Sequence, residues 1–434
     1  MSGRFSLRNG GRALGHRNYR LFFGGQGVSL VGTWMQTVAQ AWLVLKLTSD
    51  PFMLGLLSAA QFLPVLVLGL FGGIVADALP KRYTLIATQT SQMLLAFILF
   101  ALTQAGVVQV WHILVLALLL GLTNTVDMPT RQAFAVEMVG RDDVQNAVAL
   151  NSALFNGARI VGPAVAGIAI GVFGIPIAFL LNALSFLAVI VAYAVMDDDD
   201  LRSPAHYHRP ATVRAVGASL ADGLRYCWRS PMLMLPIAMI GLASTLGMNF
   251  GVVIPALADV VLKTDATGYG FLMAATGVGS MVAALVIAFS GRPRPMIIGI
   301  GSVGLGLGLV AAGEIHAFAL ALPAMALVGL GAISMAATAN TTIQLNVEEE
   351  YRGRAMSVYT TVFAGSTPIG GLFVGWLASS TSVPTTMLVS GVLCVLTGMA
   401  GLVWYRQIRA RGIEPVLVRE RLAAAASPVG ARPR

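Results

Sequence analysis

Charge is scarce in this chain. Asp, Glu, Lys and Arg make up 11% of the 434 residues, against about 25% in ordinary soluble domains, so a water-facing surface of normal extent has nothing to build it. Lysine is scarcer still. Lys46, Lys81 and Lys263 are the full set, and none follows a glycine as a phosphate-cradling Walker loop demands, which excludes ATP hydrolysis by that route. With two cysteines, Cys227 in a polar stretch and Cys394 in an apolar one, no disulfide framework or metal site is expected. The five histidines, at 16, 112, 206, 208 and 316, lie mostly in loops or at helix ends, not in the depth-matched cluster a membrane-embedded enzyme would need.

What the chain has in abundance is apolar length. Hydrophobic residues make up 56% of it and the mean hydropathy is +0.78. Crossing about 30 Å of hydrocarbon takes roughly 20 helical residues. Twelve stretches qualify, near 20–45, 53–77, 84–106, 112–137, 145–171, 175–196, 232–258, 268–290, 296–313, 317–344, 356–379 and 384–405. None alternates as a strand would, so helices are the spanning solution that satisfies their backbone groups. The first run is longer than the apolar core of a signal peptide and is read as a retained helix.

Orientation follows from the basic residues. Only Lys46 and Lys263 fall in loops on one side, and Arg131 and Arg159 fall within spans; the rest of the 28 Lys and Arg crowd the other side. The positive-inside rule makes that side cytoplasmic, with both termini on it. The net charge of +9 is then spread over loops facing an anionic leaflet and is no nucleic-acid footprint. Trp42 and Trp111 are expected at outer helix ends and Trp404 at an inner one, where indoles prefer to sit.

The chain divides itself into residues 1–196 and 232–405, six spans each, around a polar linker at 197–231; a polar tail at 406–434 is expected to be disordered. Within the linker, Val213, Val216, Leu220, Leu224 and Cys227 recur at helical spacing, which predicts an interfacial helix. His206 and His208 have no companion ligands and read as solvated. Gly301, Gly304, Gly306 and Gly308 lie inside an apolar span, where close helix packing explains them better than a dinucleotide loop. The pairs Gly69/Gly73, Gly167/Gly171 and Gly371/Gly375 are expected to let backbones approach in the same way.

The turn GGIVADALPKRY, Gly72 to Tyr83, carries Asp77 at a helix end and Lys81 and Arg82 just past a proline. It resembles the signature loop of the major facilitator superfamily, Gly-x-x-x-Asp-Arg-x-Gly-Arg-Arg: Gly73, Asp77, Lys81 and Arg82 match, while Ala78 and Pro80 depart from it. NYRLFFGGQGVSLVGTWMQTVAQAWLVLKLT, DMPTRQAF, NSALFNGARIVGPAVAG and YRGRAMSVY are similar to stretches of its proton-driven exporters of siderophores and drugs, enterobactin exporters and macrolide pumps among them. The resemblance implies an all-α membrane protein of twelve transmembrane helices in two six-helix bundles, acting by alternating access without a cofactor. It also implies export coupled to inward proton flow. Gly162-Pro163 stands at the family's antiporter motif, although the glycine pair that should follow is reduced to Gly167.

Asp127 and Arg131 are one helical turn apart. Asp127 lies 14 residues before the turn near residue 141 and Arg159 lies 18 after it, so on antiparallel helices their depths differ by about 6 Å. Buried charge is expected to be partnered, which predicts a network of Asp127, Arg131 and Arg159, with Asp77 joining Arg131 at the inner rim and Asn151 level with Arg131. The network could be a static brace or could switch between states; Arg159 could instead hold an anionic cargo. Two adjacent arginines favour the carboxylate form of Asp127 and argue against its carrying the proton itself. Glu137, Glu314 and His316 read as solvated.

Polar and aromatic residues in spans that line the interface between halves are the candidate cargo contacts: Gln36, Gln40, Asn156, Asn249, Phe250, Asn340 and Gln344. A mostly apolar cavity with few polar anchors suits a small amphipathic molecule. The expectation is a monomeric, multi-pass transporter of the bacterial inner membrane, with a small organic substrate, protons and the bilayer as its partners. An uptake permease is the main alternative, and a non-transporting membrane sensor a weaker one.

Overall fold

The computed structural model describes residues 11–201, 213–290 and 294–412; His206, His208 and the chain from 413 onward lie outside the described residues. Thirteen helices order the described chain: α1 Arg17–Thr48, α2 Pro51–Ala78, α3 Lys81–Gln104, α4 Val110–Phe173, α5 Pro176–Ala194, α6 Val213–Arg229, α7 Pro231–Gly247, α8 Phe250–Ala256, α9 Ala266–Phe289, α10 Met296–Glu314, α11 Phe318–Asn346, α12 Arg352–Ser380 and α13 Val383–Ala410. Short polar caps punctuate them. Asp50 accepts from the Phe52 amide at 2.9 Å with Pro51 in the first turn, and Asp265 accepts from the Gly268 amide at 3.0 Å, satisfying amides that have no helical partner.

Among the described residues, eleven helical segments are long and apolar enough to cross a bilayer. One of them, the 64-residue α4, breaks at Gly140 (φ 75°, ψ 176°) and supplies two passes, which makes twelve. The neighbours show the reversal. The first arm runs antiparallel to α3, with Gln92 beside Asn124 and Lys81 beside Glu137; the second runs parallel to α1, with Gly27 against Leu154 and Gly162 against Trp34. The Gly140 conformation is accessible essentially to glycine alone. Gly140→Ala should therefore destabilise the protein by about 1–3 kcal/mol, read as a lower thermal midpoint in detergent; an unchanged midpoint would contradict the assignment.

The passes form two bundles. In the first, α1 packs on α5 and on the second arm of α4, α2 on the first arm, and α3 on both α5 and α4. In the second, α9 packs on α11, α10 on α11 and α13, and α7 on α12 and α13. The glycines of α10 serve this packing as expected: Gly301 and Gly308 lie against the backbone of α11, and Gly306 against that of α13. The bundles meet where α2 crosses α12 and the second arm of α4 crosses α9. Small residues allow both crossings, Gly55 and Ser58 with Gly371 and Gly375 at one, Gly167 and Gly171 with Thr267 at the other. Gly69 and Gly73 do not share this role, because a Cβ at either would meet nothing within 4 Å.

The two ends of the interface differ. At the end with few basic residues, Lys46 of the first bundle pairs with Asp259 of the second at 2.7 Å, and Trp42 stacks on Tyr269 at 5.9 Å. Trp42 is thus buried between halves, not at a lipid boundary as its place in the sequence led us to expect; its neighbour across the interface claims it first. Trp111, at the start of α4, is exposed. Toward the basic end, tight contacts between halves run as far as Gly277 with Ile160 and Gly365 with Leu66, and beyond them Val148 and Phe155 on α4 are exposed. The halves are shut at one end and parted at the other.

The linker carries the expected helix as α6, which packs under α12 and α7. Tyr226 stacks on Tyr351 with centroids 4.2 Å apart and rings nearly parallel. Cys227 is buried, and burial raises the pKa of its thiol. α13 continues to Ala410, past the expected end at 405.

Candidate functional site

Two cavities sit on either side of α1. The first, about 110 Å³, lies inside the first bundle among Gln26, Gln36, Gln89, Gln92, Asn124 and Arg131. The second, about 240 Å³, lies between the bundles, where Trp34, Phe62, Arg159, Asn249, Phe250 and Met273 converge. Thr37, Gln40 and Gln61 line both.

Asp127 is fully buried in the wall beside the first cavity. One carboxylate oxygen accepts from Thr88 Oγ1 at 2.7 Å and from Gln89 Nε2 at 2.8 Å; the other pairs with Arg131. The (i, i+4) spacing foretold the ion pair. That spacing does not mark the two α3 donors, although five consecutive polar residues, Thr88 to Gln92, interrupt an otherwise apolar helix. Gln26 Oε1, Gln89 Oε1 and Arg131 Nε lack partners among the described residues. The adjoining space suits a few waters, each occupying about 30 Å³ in the liquid.

Arg159 is not part of this network, which corrects the expected triad. Its direction separates it: the second arm of α4 faces α1 and α9 while the first faces α2 and α3. Its guanidinium lies over the rings of Trp34 (5.9 Å) and Phe250 (5.5 Å), in the cavity between bundles. Asp77 is exposed and does not reach Arg131. Asn151 accepts from Tyr19 at 3.1 Å instead of meeting Arg131.

The distal cations of the signature loop find partners the sequence reading did not assign. Lys81 pairs with Glu137 at 2.8 Å, so Glu137 is not simply solvated; both side chains are mostly buried at the foot of the first bundle. Arg82 donates to the carbonyls of Tyr193 and Ala194, both at 2.8 Å, and pairs with Asp198. It thereby satisfies the end of α5, where helical carbonyls lack amide partners. Two charges that reach across helices in this way tie α3 to the first arm of α4 and to α5.

Of the candidate cargo residues, Gln40, Asn249 and Phe250 line the cavity between bundles. Gln36 faces the inner polar cavity, held by Asn182 at 2.6 Å. Asn156 turns back onto the Ser152 carbonyl at 2.8 Å, and Gln344 donates to Asn340 on its own helix. Gln36, Asn156, Asn340 and Gln344 thus lie outside the lining of the second cavity. Gly162 and Pro163 sit at a double junction, Gly162 against Val31 and Trp34 of α1 and the Pro163 carbonyl against Gly270 of α9. The seventh pass is jointed here too. α7 ends at Gly247, α8 starts at Phe250, and a π-helical turn Leu257–Val261 follows, so Met248 and Asn249 enter the cavity from a break in the helix. Interrupted spans of this kind mark transporter binding sites.

The profile of a family described as transmembrane secretion effector matches residues 13–417. The chain is 22% identical over 380 residues to the staphyloferrin A transporter of Staphylococcus aureus, covering 87% of this chain and 94% of that protein. It is 28% identical over 391 residues to the multidrug efflux pump Tap of Mycobacterium tuberculosis, covering 87% and 89%. Among solved structures, a mutant of the nucleoside transporter NupG superposes with a TM-score of 0.74 at 14% identity, covering 91% of this chain and all of that one. A bacterial homologue of the human lysosomal transporter Spinster, inward-facing and unoccupied, superposes with a TM-score of 0.71 at 10% identity, covering 92% and 98%.

Proposed function

Because this chain belongs to the transmembrane secretion effector family and is a membrane transporter of the major facilitator superfamily, we propose that it exports a small amphipathic organic compound in exchange for protons. The reading places it in a bacterial inner membrane as a monomer with both termini in the cytoplasm. The observation that carries it is the cavity between bundles, apolar with a few polar groups, shut at the end bearing Lys46 and Asp259 and parted at the end where the basic residues gather. Under the positive-inside rule the parted end faces the cytoplasm, as a pump loading cargo from within requires.

Alternating access then means closing the basic end while the glycine-lined crossings at the other end release. Asp127 is the coupling group in this reading, its charge balanced by Arg131 and its hydrogen bonds reaching α3, and Gly162-Pro163 is the joint where α4 bears on α1 and α9 together. In inside-out vesicles acidified internally, one or more members of a panel of amphipathic fluorophores should accumulate several-fold. A protonophore should abolish the accumulation. Uptake that ignores the proton gradient would sink antiport, and accumulation in intact cells driven by external acid would reverse the direction.

A further inference from the structure

The two half-buried arginines of the first bundle live in opposite circumstances. Arg131 has a carboxylate, Asp127. Arg159 has none among the described residues; it has the faces of Trp34 and Phe250. Aromatic faces attract a cation and orient it but carry no net negative charge, and a guanidinium does not shed its proton to escape an apolar setting. Among the residues that line the cavity, Arg159 is the one charged group, and no acid balances it.

We infer that the cavity between bundles selects amphipathic organic anions, a carboxylate docking on Arg159 and the apolar body lying against Phe62, Met248 and Met273. This rests on the cavity being the cargo site. The planar guanidinium fork offers two parallel donors to a carboxylate, the arrangement in which such pairs are strongest. A cationic amphipath of the same shape would meet like charge with nothing to offset it. A second observation points to a ligand. Asn249 lines the same cavity, is 4% exposed, and leaves its Oδ1 without a partner among the described residues. An orphaned buried acceptor is costly, and a hydroxyl or amide N–H on the cargo would satisfy it.

The test uses three probes of one shape, naphthylacetate, naphthylethanol and naphthylethylammonium, binding to the full-length protein in lipid nanodiscs with empty discs as reference. The carboxylate should bind about tenfold or more tighter than the ammonium. Arg159→Met should erase that ranking while the alcohol binds as before, and Arg159→Lys should keep part of it, since a lysine retains the charge but not the fork. Binding of the alcohol reports that each variant is folded. Equal affinity of the three probes for the unaltered protein, or undiminished carboxylate binding to Arg159→Met, would overturn the charge selectivity and leave the cargo cavity standing. If no probe binds in the cavity, so that a Phe250→Ala variant changes nothing, both readings fall.

Discussion

Asp127→Asn is expected to abolish gradient-driven transport and to lower thermal stability as well. Asparagine keeps an oxygen for Thr88 and Gln89 but leaves Arg131 uncompensated in a buried site where its Nε already lacks a partner. Removing one member of a buried pair costs about 3–5 kcal/mol, whereas replacing both together can be nearly neutral. The double variant, Asp127→Asn with Arg131→Gln, therefore separates bracing from coupling. Its melting temperature should return toward that of the unaltered protein while its transport stays at background. Should the double variant pump normally, the pair is a brace and the coupling group lies elsewhere.

The second large effect is expected at the crossing of α2 and α12. A Cβ on Gly55 would strike the Gly371 carbonyl and come within 3.3 Å of the Leu372 Cα, backbone that has no rotamer to yield. Gly55→Val thus overpacks one conformation of the protein, the one in which this end is shut, by about 1–3 kcal/mol. Each bundle keeps its own core, so the molecule should stay folded and part its halves here instead. A free-energy shift of that size moves a two-state ratio by about 5- to 150-fold. Ser58, on the cavity wall, can report it: in Ser58→Cys, labelling by a membrane-impermeant maleimide added to intact cells should accelerate by that factor when Gly55→Val is added. An unchanged rate would mean that the shut end does not open at this crossing.

How much of this could be read from residues alone depends on the interaction. Twelve passes were legible because crossing lipid takes long apolar helices, and even the 64-residue α4 showed itself as two by the charged turn around Arg141. The Asp127–Arg131 pair was legible because helical periodicity puts its members together without any tertiary knowledge. Arg159 was misplaced for the converse reason. Counting residues from a turn gives height along a helix, but which way the side chain points depends on what each arm packs against, and α1 comes between them. Lys81 with Glu137, and Trp42 with Tyr269, are contacts between distant segments that no local pattern encodes. The candidate amides divide the same way: Gln40 and Asn249 reach the cavity, while Gln344 is spent on Asn340 one turn away.

The wall between the two cavities is thin, and Thr37 and Gln40 of α1 with Gln61 of α2 belong to both chambers. A bulkhead so thin, studded with groups that can pass a hydrogen bond from one face to the other, makes the chambers electrically aware of each other. If the proposed proton exchange holds, those three side chains must stay out of line in the empty protein, since a continuous chain of hydroxyls and amides through the partition would let protons pass with no cargo moved.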